Sequence, residues 1–123
     1  MAWKPAPDEL VETFGGLVPD DDPRVERRKM FGYPCAFASG NMFMGLHEDR
    51  MVLRLPDGPR EELQEAWDAP TFEPWEGRTM REYVVVPRAL LDRADELRRW
   101  IAVSAEYAAS LPPKETRKRK PKR

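Results

Sequence analysis

The chain has 123 residues, of which 41% are hydrophobic and 35% are charged, and this balance is typical of one soluble globular domain with a modest core. It contains no apolar run near the roughly 18 residues that span a bilayer and no apolar signal-peptide core at the start, so we expect a cytoplasmic protein. The single cysteine, Cys35, excludes an internal disulfide and fits a reducing compartment.

The net charge of −1 conceals an uneven distribution. Residues 114–123 hold seven Lys or Arg against one Glu, a charge of +6, whereas the other 113 residues hold 14 Lys or Arg against 21 Asp or Glu, a charge of −7. The composition therefore predicts three parts: a disordered lead over 1–7, a folded domain over 8–113 and a basic disordered tail over 114–123.

The first element in chain order is an amphipathic helix. Apolar residues recur at helical spacing from Leu10 to Val18, after a Pro7-Asp8 start, so the pattern predicts a helix over 8–18. An acidic, proline-bounded loop follows at 19–23.

The next segments predict an antiparallel sheet of about five short strands. We expect the strands at Val25–Phe31 with a continuation over Cys35–Ala38, then at Asn41–Leu46, Met51–Leu55, Thr71–Trp75 and Glu82–Val86. In the third of these, Met51, Leu53 and Leu55 share one face, and Val52 and Arg54 the other. Pro74 has no backbone N–H to donate to a neighbouring strand, so we expect its strand to lie at an edge of the sheet.

Two further helices are predicted. Asp57 suits an N-cap for a short helix ending near Trp67, and Pro87 precedes a long helix over 88–110 that Pro112-Pro113 terminates. The order of elements predicts an α+β fold with the helices packed mainly on one face of the sheet.

Catalytic chemistry has few candidate groups in this sequence. Cys35 and His47 are the sole thiol and the sole imidazole, and they are more typical of a buried strand residue and a surface turn residue than of a nucleophile and its base. One Cys and one His do not supply the ligands of a usual zinc site, and no phosphate-binding glycine motif is present. We therefore expect no catalytic residues, no metal and no cofactor.

Three other groups of residues are candidates for binding. Lys29, Arg54, Arg78 and Arg81, with the hydroxyl of Tyr83, form an anion site if their strands adjoin; otherwise they are surface cations paired with acids. Met42, Met44 and Trp75 are candidates for an apolar protein interface. The tail residues Lys114, Arg117, Lys118, Arg119, Lys120, Lys122 and Arg123 suit weak, salt-dependent contact with nucleic acid, or act only as a solubilising tail.

Several short motifs occur in an order that resembles one known family. They are Lys29-Met30-Phe31-Gly32, Gly40-Asn41-Met42, residues 49–55, Gly77-Arg78-Thr79-Met80, residues 83–86, Trp100 and residues 111–114. This pattern over about residues 8–114 resembles the N-terminal domain of the TfoX/Sxy competence regulators, although Tyr33 stands where that family typically has a second glycine.

The resemblance implies helices on an antiparallel sheet and a role beside a cyclic-AMP-responsive transcription factor. We expect no counterpart of the C-terminal domain of the two-domain members, so the fold carries over better than the competence role. The leading hypothesis is a non-enzymatic module that contacts a protein partner, such as the transcription machinery, with a homodimer also open. The alternatives are a nucleic-acid-associated protein anchored by its tail, and a small-anion binder or enzyme that uses the Lys/Arg cluster.

Overall fold

The computed structural model describes residues 4–112. It contains helices α1 (Asp8–Leu17), α2 (Asp57–Trp67), α3 (Arg88–Leu91) and α4 (Ala94–Ser110), and strands β1 (Val25–Met30), β2 (Tyr33–Ala38), β3 (Asn41–His47), β4 (Arg50–Arg54), β5 (Thr71–Trp75) and β6 (Arg78–Val85). The predicted α+β class is confirmed, and the tail over 114–123 lies outside the described residues.

The strands form one antiparallel sheet in the order β1-β2-β3-β4-β6-β5. The first four strands are joined in succession by hairpins. Helix α2 then carries the chain to the far edge of the sheet, where β5 lies, as Pro74 predicts. The described sheet has six strands rather than about five, because β1 and β2 are separate strands. Met30 pairs with Tyr33 across a two-residue turn in which Phe31 and Gly32 have φ angles of 55° and 84°.

Two predicted boundaries were also wrong. The last strand begins at Arg78 rather than Glu82, because its first half pairs with β5. The long C-terminal helix is interrupted after Leu91, where Arg93 leaves helical geometry with φ −115° and ψ 72°. The Arg93 carbonyl then accepts the bond from the Leu97 N–H that opens α4.

The helices pack on one face of the sheet and bury the main core there. Alternation along β4 follows the prediction: Met51, Leu53 and Leu55 lie in this core, with Leu63 of α2 and Ile101 of α4 among their neighbours in the cluster. Within residues 4–112, no helix is both long enough and apolar enough to cross a membrane.

Two buried polar side chains fix α4 on the sheet. The Ser104 hydroxyl lies 2.7 Å from the carbonyl oxygen of Phe43 and 2.6 Å from that of Arg54, and the Asn41 amide donates at 3.1 Å to the carbonyl oxygens of Ala108 and Pro112. These bonds give the buried side chains of Ser104 and Asn41 the hydrogen-bond partners that buried polar groups require. They hold α4 against one face of the sheet. The opposite face carries a different set of side chains.

Candidate functional site

The face opposite the helices carries a second group of buried apolar residues. Cys35, Phe37, Val52 and Phe72 are 2%, 9%, 1% and 6% exposed, yet they lie outside the main core cluster. Cys35, Phe37 and Val52 alternate with core residues along β2 and β4, so they point to the other face, and the Phe72 ring packs 5.4 Å from the ring of His47. The described sheet is therefore apolar on both sides, although helices cover only one.

A cavity of about 250 Å³ opens on this second face. Its lining comes from the β1–β2 turn and from all six described strands: Met30, Phe31, Tyr33, Cys35, Met42, Leu46, His47, Val52, Phe72, Pro74, Trp75, Arg78, Met80 and Tyr83. We name this feature the sheet cavity.

Gly45 explains how Met42 reaches the cavity. Gly45 pairs with Cys35 on one side and Val52 on the other, and a Cβ placed on it would lie 2.7 Å from Met42 Cε and 3.2 Å from Cys35 Cβ. Because glycine has no side chain, the end of the Met42 side chain occupies that space.

Large apolar side chains at the edge of the sheet cavity are exposed. Trp75 is 65% exposed, Phe31 is 82% exposed and Met30 is 39% exposed. Single exposed apolar residues are ordinary, but several that border one apolar cavity form a continuous patch of the kind that marks binding surfaces.

His47 lies in the wall of the sheet cavity as a neutral ring at physiological pH. Its ring is 5.3 Å from the ring of Tyr33 and 5.4 Å from that of Phe72, and Arg50 donates to its Nδ1 at 2.8 Å. A guanidinium has no acceptor, so Nδ1 is unprotonated and the neutral ring carries its proton on Nε2. Burial and the neighbouring Arg50 charge both lower the pKa of His47.

Cys35 lines the same cavity as His47, which the sequence did not predict. Burial raises the pKa of the Cys35 thiol, so it stays protonated at neutral pH. His47 Nδ1 already accepts a hydrogen bond from Arg50, and this leaves only an N–H on the other ring nitrogen. The pair therefore lacks both a thiolate and a free basic nitrogen, the two features that a Cys–His nucleophile requires.

The structure does not gather the predicted cation cluster. β2 and β3 separate Lys29 on β1 from Arg54 on β4, a spacing of roughly 14 Å at the usual distance between strands. Arg54 is paired with Glu82 at 2.7 Å. Arg78 lines the sheet cavity, whereas Arg81 is exposed on the same strand outside it.

Arg54 and Tyr83 instead belong to a network at the end of β4. Tyr107 donates to Glu82 at 2.9 Å, and the Arg54 guanidinium lies 5.8 Å from the rings of both Tyr83 and Tyr107. Burial alone would raise the pKa of Glu82, but the hydrogen bonds from Arg54 and Tyr107 hold it below its ordinary value. The Tyr83 hydroxyl is 3.5 Å from the Met42 carbonyl oxygen, and burial raises its pKa.

The predicted interface residues divide between the two faces. Met42 and Trp75 line the sheet cavity, whereas Met44 is fully buried among the core residues under the helices. Sequence reasoning missed Val52 and Phe72 as cavity residues. An apolar Val52 on the face away from the core was the available signal, because a solvated face would carry a polar residue there.

Comparison with known proteins identifies the family to which the chain belongs. No curated protein matches the chain significantly. The model of the TfoX N-terminal domain matches residues 20–108, a stretch that includes all six strands and most of α4. The chain therefore belongs to the TfoX N-terminal domain family.

Proposed function

We propose that this domain is a non-enzymatic protein-interaction module that acts as an accessory in transcriptional regulation. The observation that carries the proposal is the sheet cavity, an apolar hollow of about 250 Å³ beside the exposed Trp75. Its occupant is a hydrophobic side chain from a segment of another protein.

The size of the cavity favours a side chain over a metabolite. Sites for small molecules are usually about 300–1,000 Å³, and the sheet cavity is smaller than this range. One buried aromatic side chain removes about 150–250 Å² from water, a gross stabilisation of roughly 4–6 kcal/mol. An interface with one such anchor at its centre matches the usual distribution of binding energy in protein complexes.

The chemistry of the polar groups supports a binding role over catalysis. The Cys35 thiol has a raised pKa, and the His47 ring is neutral with its Nδ1 occupied by Arg50. Membership of the TfoX N-terminal domain family supports a competence-related setting in general, and the regulatory role in the cytoplasm is our extension of it. Contact with nucleic acid through residues 114–123 stays a prediction from composition.

A quantitative pull-down from cell extract tests the proposal with two variants of the full chain. Trp75→Ala removes the exposed aromatic residue at the cavity, and Val103→Ala removes an exposed apolar residue of α4 on the helical side. We expect a saturable partner that Val103→Ala retains and Trp75→Ala loses. A partner captured equally by both variants, or no saturable partner for the wild type, contradicts the proposal.

A further inference from the structure

Among residues 4–112, four arginines lie on the face that carries the sheet cavity, and three of them have partners within the domain. Arg28 pairs with Glu26 at 3.0 Å, and Arg54 pairs with Glu82 at 2.7 Å. Arg50 donates to His47 at 2.8 Å and to the Glu73 carbonyl at 3.1 Å, with a Glu48 carboxylate oxygen at 4.0 Å. These three charges already have compensating groups.

Arg78 is the fourth arginine, and it has no such compensation. It is exposed and lines the sheet cavity, yet no carboxylate among residues 4–112 lies within 4.0 Å of its guanidinium. The neighbouring Glu73 carboxylate accepts instead from the Gly77 N–H at 2.9 Å. A cation is therefore available at the edge of an apolar hollow.

The register places this cation beside the exposed tryptophan. Arg78 pairs with Trp75 across the Glu76-Gly77 turn, and directly opposed residues have Cβ atoms about 5 Å apart. An occupant whose apolar side chain contacts Trp75 therefore brings its own adjacent groups next to Arg78. Guanidinium groups bind carboxylates with two parallel hydrogen bonds, and such a pair is stronger beside apolar surface than in open water.

We propose that the segment bound in the sheet cavity carries a large hydrophobic side chain with an Asp or Glu within about two residues of it, and that this carboxylate pairs with Arg78. This inference rests on the proposed function, since it specifies the partner of the same cavity. The neutral His47 ring adds an N–H donor in the same wall, and no described residue accepts from it.

Selection from a phage-displayed library of random twelve-residue peptides tests the inference. The full chain is used as wild type, Arg78→Glu and Arg81→Glu. Arg81 is the matched control because it is exposed on the same strand but does not line the cavity. All three proteins share the basic residues 114–123, so acidic peptides that bind those residues are enriched by all three and can be subtracted.

We expect the wild type and Arg81→Glu to enrich a large hydrophobic residue close to Asp or Glu, and Arg78→Glu to enrich Lys or Arg in place of the acid. A synthetic peptide of the selected sequence should bind Arg78→Glu about threefold or more weakly than it binds the wild type.

Different outcomes of the selection distinguish the acidic preference from hydrophobic binding at the cavity itself. Hydrophobic peptides without an acidic preference, or an acidic preference that Arg78→Glu leaves unchanged, overturn the inference and leave the proposed function standing. No hydrophobic peptide enriched over a Trp75→Ala protein overturns both.

Discussion

His47 shows how one residue can be made uncharged by its surroundings. Two aromatic rings and the Arg50 guanidinium surround it, so the imidazolium form loses hydration and meets a like charge. Both effects lower the pKa of His47 below its ordinary value of 6.5. The neutral ring completes the apolar wall of the sheet cavity at physiological pH.

The free energy of unfolding should therefore depend on pH in a window that His47 controls. Since the unfolded chain binds a proton at pH values where the folded chain does not, stability present above about pH 6.5 is lost as the pH falls through and below that value. Urea unfolding between pH 7.5 and 5.5 measures this loss. His47 is the only histidine, so His47→Gln should flatten the profile, and an unchanged slope would contradict the assignment.

At the scale of elements, the β1–β2 hairpin has an unfavourable residue in its turn. Phe31 has φ 55°, a left-handed conformation that bulky residues rarely adopt and that Asn adopts readily before glycine. The Ser39-Gly40 turn between β2 and β3 has similar angles, 51° and 87°, with a small residue in the first position. Strain of this kind is found where a side chain is needed in a particular place.

Replacing Phe31 by Asn should stabilise the domain by about 1 kcal/mol while it weakens partner binding, because the turn relaxes but the cavity loses an apolar edge. Thermal unfolding and the binding assay measure the two effects. Ser39→Asn is the matched control at the other turn, and it should leave binding unchanged. A loss of stability with Phe31→Asn would contradict the prediction.

The same hairpin marks the limit of what the sequence could predict. The bounds of α1 and α2 follow from their prolines, acidic starts and apolar spacing, and the position of β5 follows from Pro74. The Phe31-Gly32 turn could not be predicted from the sequence, because Phe rarely adopts a positive φ angle. Neither proline nor glycine marks the break at Arg93, so a continuous helix was the natural prediction.

The candidate site was less predictable than the fold, because it depends on strand order. Met42 and Trp75 were found from their apolar character near strand ends. Phe72 contacts His47 because the edge hairpin of β5 and β6 brings its ring to the end of β3, and local patterns do not contain that placement. For the same reason Lys29 and Arg54 proved to be separated by two intervening strands.

At the scale of the whole molecule, the described sheet has two apolar faces, of which the helices cover one. The helices cover one face and pack on the main core there, whereas the other face carries buried Phe72 and Val52 around a cavity with the exposed Trp75 at its edge. An exposed apolar surface of this kind lowers the solubility of a protein, so its presence favours a role in binding over a role in stability.

Photocrosslinking in the cell tests this claim most directly, with a benzoylphenylalanine residue in place of Trp75 at the cavity or in place of Val103 on α4. Both positions are exposed, at 65% and 36%, and they lie on opposite sides of the sheet. We expect a discrete protein adduct from position 75 and none from position 103. Adducts from position 103 alone, or equal adducts from both positions, would contradict the claim that the open face of the sheet is the binding surface.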